Sequence, residues 1–136
     1  MNMDELNPPS KIDLRYAEEK IVFVICDCSL QKHYSFYGLS REEATKLIAK
    51  LKYIENYTWK QFANLDRTNG LTSEKPNTAS FNMIHEQNSS VGKLVAQYYF
   101  HFRVEKADLF RVFGYQKNHY FCITHIDPDG KIQQHS

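Results

Sequence analysis

Three runs of aromatic and β-branched residues follow one another in the last third of the chain. They span Tyr98–Val104, Leu109–Tyr115 and His119–Ile126, and each has the length of an ordinary strand. The polar segments between them are short enough for hairpins. The sequence Asp-Pro-Asp-Gly at 127–130 predicts a turn after the third run, because proline fixes φ and glycine accepts left-handed backbone. The pattern therefore predicts an antiparallel three-stranded meander.

The first half of the chain predicts one further strand and two helices. Lys20–Cys26 is continuously apolar, which is typical of a strand covered on both faces, and residues 33–37 are expected to return as a hairpin arm. Ser40 and Thr58 each stand three residues before a Glu or Gln, the spacing of a helical capping box. An apolar stripe follows each box, so we expect both helices to pack across one face of the sheet. The predicted fold class is α+β.

Length and composition add limits to this picture. The 136 residues fit a single domain at 20–136, preceded by a weakly ordered arm at 1–19 that contains Pro8 and Pro9. We expect a cytoplasmic protein, because the N-terminal residues lack the basic and apolar segments of a signal peptide. Three cysteines are best interpreted as reduced thiols. The histidines and cysteines lack the spacing of a zinc site, so neither a metal nor another cofactor is predicted.

Basic side chains interrupt the apolar meander at a few positions. Alternation places His101 and Arg103 on one face of their strand, opposite Phe100 and Phe102. Arg111 can lie beside Arg103 on the same face of the sheet. His125 is in phase with Phe121 and Ile123, and the sequence does not fix which face these residues occupy. 

A structural role is the alternative for each of these residues. Either arginine can lay its stem on apolar surface, and Arg103 can pair with Glu105 or Asp108. The two histidines can be half-buried and hydrogen-bonded within the fold.

The order of the elements and the segment Phe110–Tyr115 carry a family resemblance. The sequence Phe-Arg-Val-Phe-Gly-Tyr resembles the Arg-containing hairpin strand of the RelE/ParE superfamily of toxins from toxin–antitoxin modules. The resemblance covers residues 20–132 in element order, and its residue-level content lies in the last forty residues. In the ribonuclease members of that superfamily, a further His, Lys or Tyr stands near the end of the last strand. His125, Lys131 and His135 are the candidates here.

The resemblance implies metal-independent cleavage of mRNA by attack of a ribose 2′-OH on the adjacent phosphate. Arginine suits the charge of the transition state, and histidine suits proton transfer. The implied partners are an antitoxin protein and mRNA, either free or bound to a ribosome. The alternative is a non-catalytic binding or inhibitor protein on the same scaffold, since a fold does not determine function. The candidate residues fall into two groups: catalytic Arg111, Arg103, His101 and His125, and substrate-binding Tyr99, Tyr115, Lys131 and His135.

Overall fold

A computed structural model of the protein describes residues 11–66, 68–90, 96, 98–105 and 109–132, and these residues form an α+β fold. The helices are α1 (Arg41–Ile54), α2 (Trp59–Ala63) and α3 (Ala79–Ser90). The strands are β1 (Val22–Val24), β2 (Thr72–Ser73), β3 (Tyr99–Arg103), β4 (Arg111–Lys117) and β5 (Tyr120–Asp127). Three short 3-10 turns lie at Leu14–Tyr16, Lys32–Tyr34 and Phe36–Gly38. 

The strands form one sheet in the order β1-β5-β4-β3-β2. β3, β4 and β5 pair antiparallel, which confirms the predicted meander. Gly130 has a φ of 70° after β5, as the predicted turn requires. β2 adds a short antiparallel strand at one edge, and β1 pairs parallel with β5 at the other.

A bulge in β5 changes which side chains share a face. Phe113 pairs with His125 and Gly114 pairs with Ile123, so Thr124 is an extra residue on β5. Gly114 permits this close pairing, because a Cβ there would lie 2.3 Å from the carbonyl oxygen of Cys122. The bulge moves His125 out of phase with Ile123 and onto the face of Arg111, which strict alternation does not predict.

Both faces of the sheet are covered by apolar packing. On one face α1 and α2 bury Leu47, Ile54, Trp59 and Phe62 against the sheet, as predicted from the apolar stripes. The Trp59 indole also donates a hydrogen bond to the carbonyl of His119 at 2.8 Å. On the other face α3 packs through Ile84 in a second cluster. The sheet residues of that second cluster are Tyr99, Phe113, Tyr115 and Cys122.

The structure differs from the sequence prediction on the N-terminal side of the sheet. β1 is an edge strand rather than a strand covered on both faces, and Val22 is 41% exposed. Residues 33–37 form 3-10 turns and not the expected hairpin arm. The reason is that the Ser29 amide donates to the Thr124 carbonyl, so the chain follows the end of β5. α3 is a full helix where the sequence indicated only a helical turn.

The described part of the predicted N-terminal arm lies against the domain. Ile12 and Ala17 are buried in the cluster beneath α1 and α2, and residues 1–10 lie outside the described residues. In the part of the chain that the structure describes, no helix is both long and apolar enough to span a membrane.

The capping box of α1 gives a direct stability test. The Ser40 hydroxyl accepts the Glu43 amide at 3.1 Å, so we expect Ser40→Ala to lower the free energy of unfolding by about 1 kcal/mol. Thr45→Ala removes a hydroxyl from the same helix, where alanine has the higher helix propensity, and should be neutral or stabilising. Urea denaturation of the two variants checks this, and equal losses would contradict the assigned cap.

Candidate active site

A polar pocket opens where the ends of β3 and β4 meet β2. Its volume is about 270 Å³, which suits a group of the size of a phosphate with part of its ribose. The pocket has Arg103, Arg111 and Lys75 as cations and Glu74 as its acid. The lining residues are Thr72, Ser73, Glu74, Lys75, Thr78, His101, Arg103 and Arg111.

Two of the predicted catalytic residues, Arg103 and Arg111, are direct cross-strand partners. Opposed side chains in an antiparallel pair have Cβ atoms about 5 Å apart, and like charges at that separation destabilise the sheet. Glu105, one of the acids expected to pair with Arg103, instead pairs with Lys46 of α1 at 2.9 Å. The other, Asp108, lies outside the described residues.

Arg111 has donors that the described residues leave unused. Its Nε and Nη1 atoms are buried without a hydrogen-bond partner among those residues. Asp127 pairs with Arg111 in the β4–β5 register, but its carboxylate accepts the amides of Lys131 at 2.9 Å and Ile132 at 2.8 Å. Unsatisfied buried donors on a charged group are costly, and a rotation of the Arg111 side chain toward the pocket would let an anion there accept from them.

The electrostatics of Arg111 agree with this geometry. Burial lowers the pKa of Arg111, and the positive charge of Arg103 acts in the same direction. The carboxylates of Asp127 and Glu74 act in the opposite direction. A negative charge placed beside Arg111 would therefore favour the charged form of its guanidinium.

A buried histidine–carboxylate pair forms the floor of the same pocket. His101 is 5% exposed, and its Nδ1 contacts the Glu74 carboxylate. Glu74 is held in place twice: its amide donates to the Tyr99 carbonyl at 2.8 Å, and its other carboxylate oxygen accepts the hydroxyl of buried Ser80. Because β2 pairs with β3, the residue that follows β2 lies beside His101. This arrangement fixes the ring and directs Nε2 away from Glu74.

His125 lies apart from this group. Phe113 separates it from His101 in the sheet, which places the two histidines two strands apart, or about 10 Å. The Thr124 hydroxyl donates to the Phe113 carbonyl, so the His125 Nδ1–H donates to Thr124 Oγ1 at 2.9 Å. Burial lowers the pKa of His125 from 6.5 to about 4. A neutral, enclosed imidazole is poorly suited to proton transfer at neutral pH.

The aromatic candidates Tyr99 and Tyr115 are both buried beneath α3. The Tyr99 hydroxyl lies 3.0 Å from His85 Nδ1, and that of Tyr115 donates to Asp27. Burial raises the pKa of both phenols. Tyr115 is not among the residues that line this pocket.

The remaining substrate-binding candidates lie at the C-terminal end. Lys131 follows the turn after β5 with an exposed side chain, and only its backbone amide is engaged, by Asp127. His135 lies outside the described residues. Neither residue lines the described pocket.

Sequence reasoning missed Glu74 and Ser80. Glu74 stands in Thr-Ser-Glu-Lys-Pro-Asn, which has the composition of a loop and gives no sign of burial. The predicted meander was the signal that could have pointed to Glu74. Its edge strand β3 can accept another strand, and Thr72 and Ser73 form that strand.

Comparisons with known proteins give no additional support. No family model, curated protein or solved structure matches the chain. The resemblance to the RelE/ParE superfamily therefore rests on the residues quoted above. Among the described residues, no group of three His, Cys, Asp or Glu side chains is arranged to hold a metal ion.

The environment of His125 predicts a pH dependence of stability. Its pKa of about 4 in the folded protein is below the ordinary 6.5, so the unfolded chain binds the proton more readily. The free energy of unfolding should therefore fall as the pH drops from 6.5 to 4, by up to about 3 kcal/mol. In His125→Gln this dependence should be reduced, whereas His33→Gln, which changes an exposed histidine, should keep it. Denaturation at several pH values measures both slopes, and equal slopes would show that another group is responsible.

Proposed function

We propose that this protein is a metal-independent endoribonuclease whose active site is the pocket between β2, β3 and β4. The observation that carries the proposal is the convergence of Arg103, Arg111 and a carboxylate-bound histidine, His101, in one open pocket. These groups match the needs of phosphodiester cleavage, which are charge stabilisation on the phosphate and proton transfer at the attacking oxygen.

The two arginines would hold the scissile phosphate. A guanidinium keeps its charge through the reaction and presents paired donors that fit two phosphate oxygens. Arg111 has buried donors without a described partner, and a rotation of its side chain toward the pocket would give them phosphate oxygens as acceptors. As the 2′-oxygen attacks phosphorus, negative charge grows on the equatorial oxygens, and the same donors stabilise it.

His101 would act as the base. Its Nδ1 side faces the Glu74 carboxylate, so Nε2 takes the proton from the 2′-OH while Glu74 stabilises the imidazolium that forms. The new bond joins the 2′-oxygen to phosphorus, and the bond from phosphorus to the 5′-oxygen breaks. The products are a 2′,3′-cyclic phosphate and a 5′-hydroxyl end.

The leaving 5′-oxygen needs a proton from a second group. Among the residues that line the pocket, Lys75 is the one ammonium, and it lies next to Glu74 in the chain. We assign this donation to Lys75 rather than to His125, which is enclosed and neutral at physiological pH.

A protein partner is part of the proposal. Leu30 is 85% exposed and Tyr37 is 64% exposed, and the Tyr37 hydroxyl donates to the Leu30 carbonyl at 2.6 Å. These residues and Ile25 form an apolar surface near the edge strand β1, which suits a partner such as an antitoxin. The same surface favours the second candidate function, a non-catalytic binding protein on this scaffold.

Arg111→Ala tests the proposed enzyme. We expect it to reduce RNA cleavage by at least about 100-fold, the usual loss when one transition-state donor is removed. Arg111→Lys should restore little activity, because an ammonium lacks the paired donors. The measurement is growth arrest on induced expression in a bacterial host, with total mRNA mapped for new 5′ ends.

Arg41→Ala is the matched control, since Arg41 is an exposed arginine at the start of α1. It should arrest growth and cleave mRNA as the wild type does. Arrest without new 5′ ends would favour the non-catalytic inhibitor. Absence of arrest by a soluble, folded wild type would leave the ribonuclease proposal without support.

Glu74→Gln tests the histidine–carboxylate pair. Loss of the carboxylate charge should lower the cleavage rate constant at least tenfold, since general-base catalysis contributes about 10²–10⁴-fold. Affinity for inorganic phosphate should not fall, because the substitution removes a negative charge from the pocket. Single-turnover cleavage and phosphate titration separate the two effects.

Glu86→Gln, on the exposed side of α3, is the control and should cleave RNA at the wild-type rate. A Glu74→Gln variant with unchanged cleavage would remove the histidine–carboxylate pair from the mechanism.

A further inference from the structure

A second and larger pocket adjoins the proposed phosphate site. Its volume is about 500 Å³, within the range of small-molecule sites. It shares Thr72, Ser73, Glu74 and Lys75 with the first pocket, so both pockets border the same segment around β2. The second pocket lies at the Tyr98–Tyr99 end of β3, whereas the first lies at the His101–Arg103 end. Tyr99 and His101 are about 7 Å apart along the strand, a separation that one nucleotide can bridge.

The chemistry of the two pockets is complementary. The first has arginine, histidine and lysine side chains, whereas the second is lined on its apolar side by Leu71, Pro76, Phe81 and Tyr98. Phe81 and Tyr98 are partly exposed, so their rings are accessible to a ligand. A flat aromatic ligand attached to an anionic group fits this arrangement, with the ring against Phe81 or Tyr98 and the anion near Arg111.

Phe81 is held in a fixed orientation before any ligand binds. Its ring meets Tyr99 edge-on at 4.7 Å and stacks on His85 at 5.9 Å with an interplanar angle of 12°. Tyr99 is in turn fixed by the hydrogen bond to His85. A preorganised ring loses little entropy on binding, which favours affinity.

The second pocket also contains groups that can contact the edge of a base. The hydroxyls of Thr72 and Ser73 can donate and accept hydrogen bonds, and the lysines 11 and 75 can only donate. Mixed stacking and edge contacts are the usual means of recognising an unpaired base.

We propose that the second pocket binds a nucleobase of the RNA strand whose phosphate occupies the Arg103–Arg111 pocket. The inference deepens the proposed function and rests on it. In this proposal the stacking residues are Phe81 and Tyr98, and not the buried Tyr115. The protein thereby reads an unpaired nucleotide next to the cleaved bond, and cleavage depends on the identity of that base.

The test compares four probes on the purified full-length protein by calorimetry. They are inorganic phosphate, ribose phosphate, the four nucleoside monophosphates and a 2′-O-methyl dinucleotide, which lacks the free nucleophile. We expect the best nucleoside monophosphate to bind at least about fivefold tighter than ribose phosphate, the lower end of one base–aromatic stack. The dinucleotide should bind at least as tightly as that monophosphate.

Variants assign the effect to each pocket. Phe81→Ala and Tyr98→Ala are tested separately: at least one should remove the advantage of the base, and both should leave phosphate binding unchanged. Arg111→Ala should weaken all four kinds of probe. Tyr53→Ala removes an exposed tyrosine of α1 that lines neither pocket, and it should change nothing. If Tyr98→Ala does not fold, NMR of the wild type decides: the ring signals of Phe81 and Tyr98 should shift with a nucleoside monophosphate and not with phosphate alone.

The outcomes separate the two proposals. Equal affinity for nucleoside monophosphates and ribose phosphate, with both lost in Arg111→Ala, would overturn the base pocket and keep the anion site. Binding of a nucleoside monophosphate that depends on Phe81 or Tyr98 and not on Arg111, without binding of inorganic phosphate, would support the base pocket and overturn the ribonuclease. Absence of binding by every probe would overturn both.

Discussion

The pairing of β4 with β5 across the Thr124 bulge is the constraint on which the rest of the structure depends. Before the bulge, Phe121 and Ile123 face α1 and α2, and after it Ile126 faces them again. Because of the extra residue, the stretches of β5 before and after the bulge each direct side chains to both faces of the sheet. Asp127 still pairs with Arg111. Without the extra residue, either His125 or Ile126 would lie on the wrong face of the sheet. Burying a polar side chain or exposing an apolar one would then destabilise the fold.

The position of the polar pocket follows from how far α3 extends over its face of the sheet. α3 packs on Tyr99 at the start of β3 and on Phe113 and Tyr115 of β4, whereas the strand ends at Arg103 and Arg111 are lined by the segment after β2. At this end of the sheet Arg103 and Arg111 are cross-strand partners, and like charges in such a pair repel each other. Such stored electrostatic cost is typical of sites built to bind charge.

The sequence patterns identify the parts of the fold that depend on local chemistry. Capping boxes at Ser40 and Thr58, apolar stripes and the meander are all recognisable, because helix termini and strand alternation are encoded over a few residues. The same alternation brings Arg103 and Arg111 together. It cannot reveal Glu74, whose burial depends on a two-residue strand, or the face of His125, which depends on a bulge. The parallel edge position of β1 is equally non-local, since an apolar run does not specify its partner.

The parallel pairing of β1 with β5 also sets an order of events during protein synthesis. Residues 22–24 pair with residues 120–122, so the first strand has no partner in the sheet until nearly all of the described chain has left the ribosomal tunnel. The pocket likewise draws on residues from 72 to 111. Long-range pairing of this kind makes folding slow and late. β1 therefore joins the sheet only after β5 has been made, whereas the opposed pair Arg103 and Arg111 can form as soon as residue 111 is available.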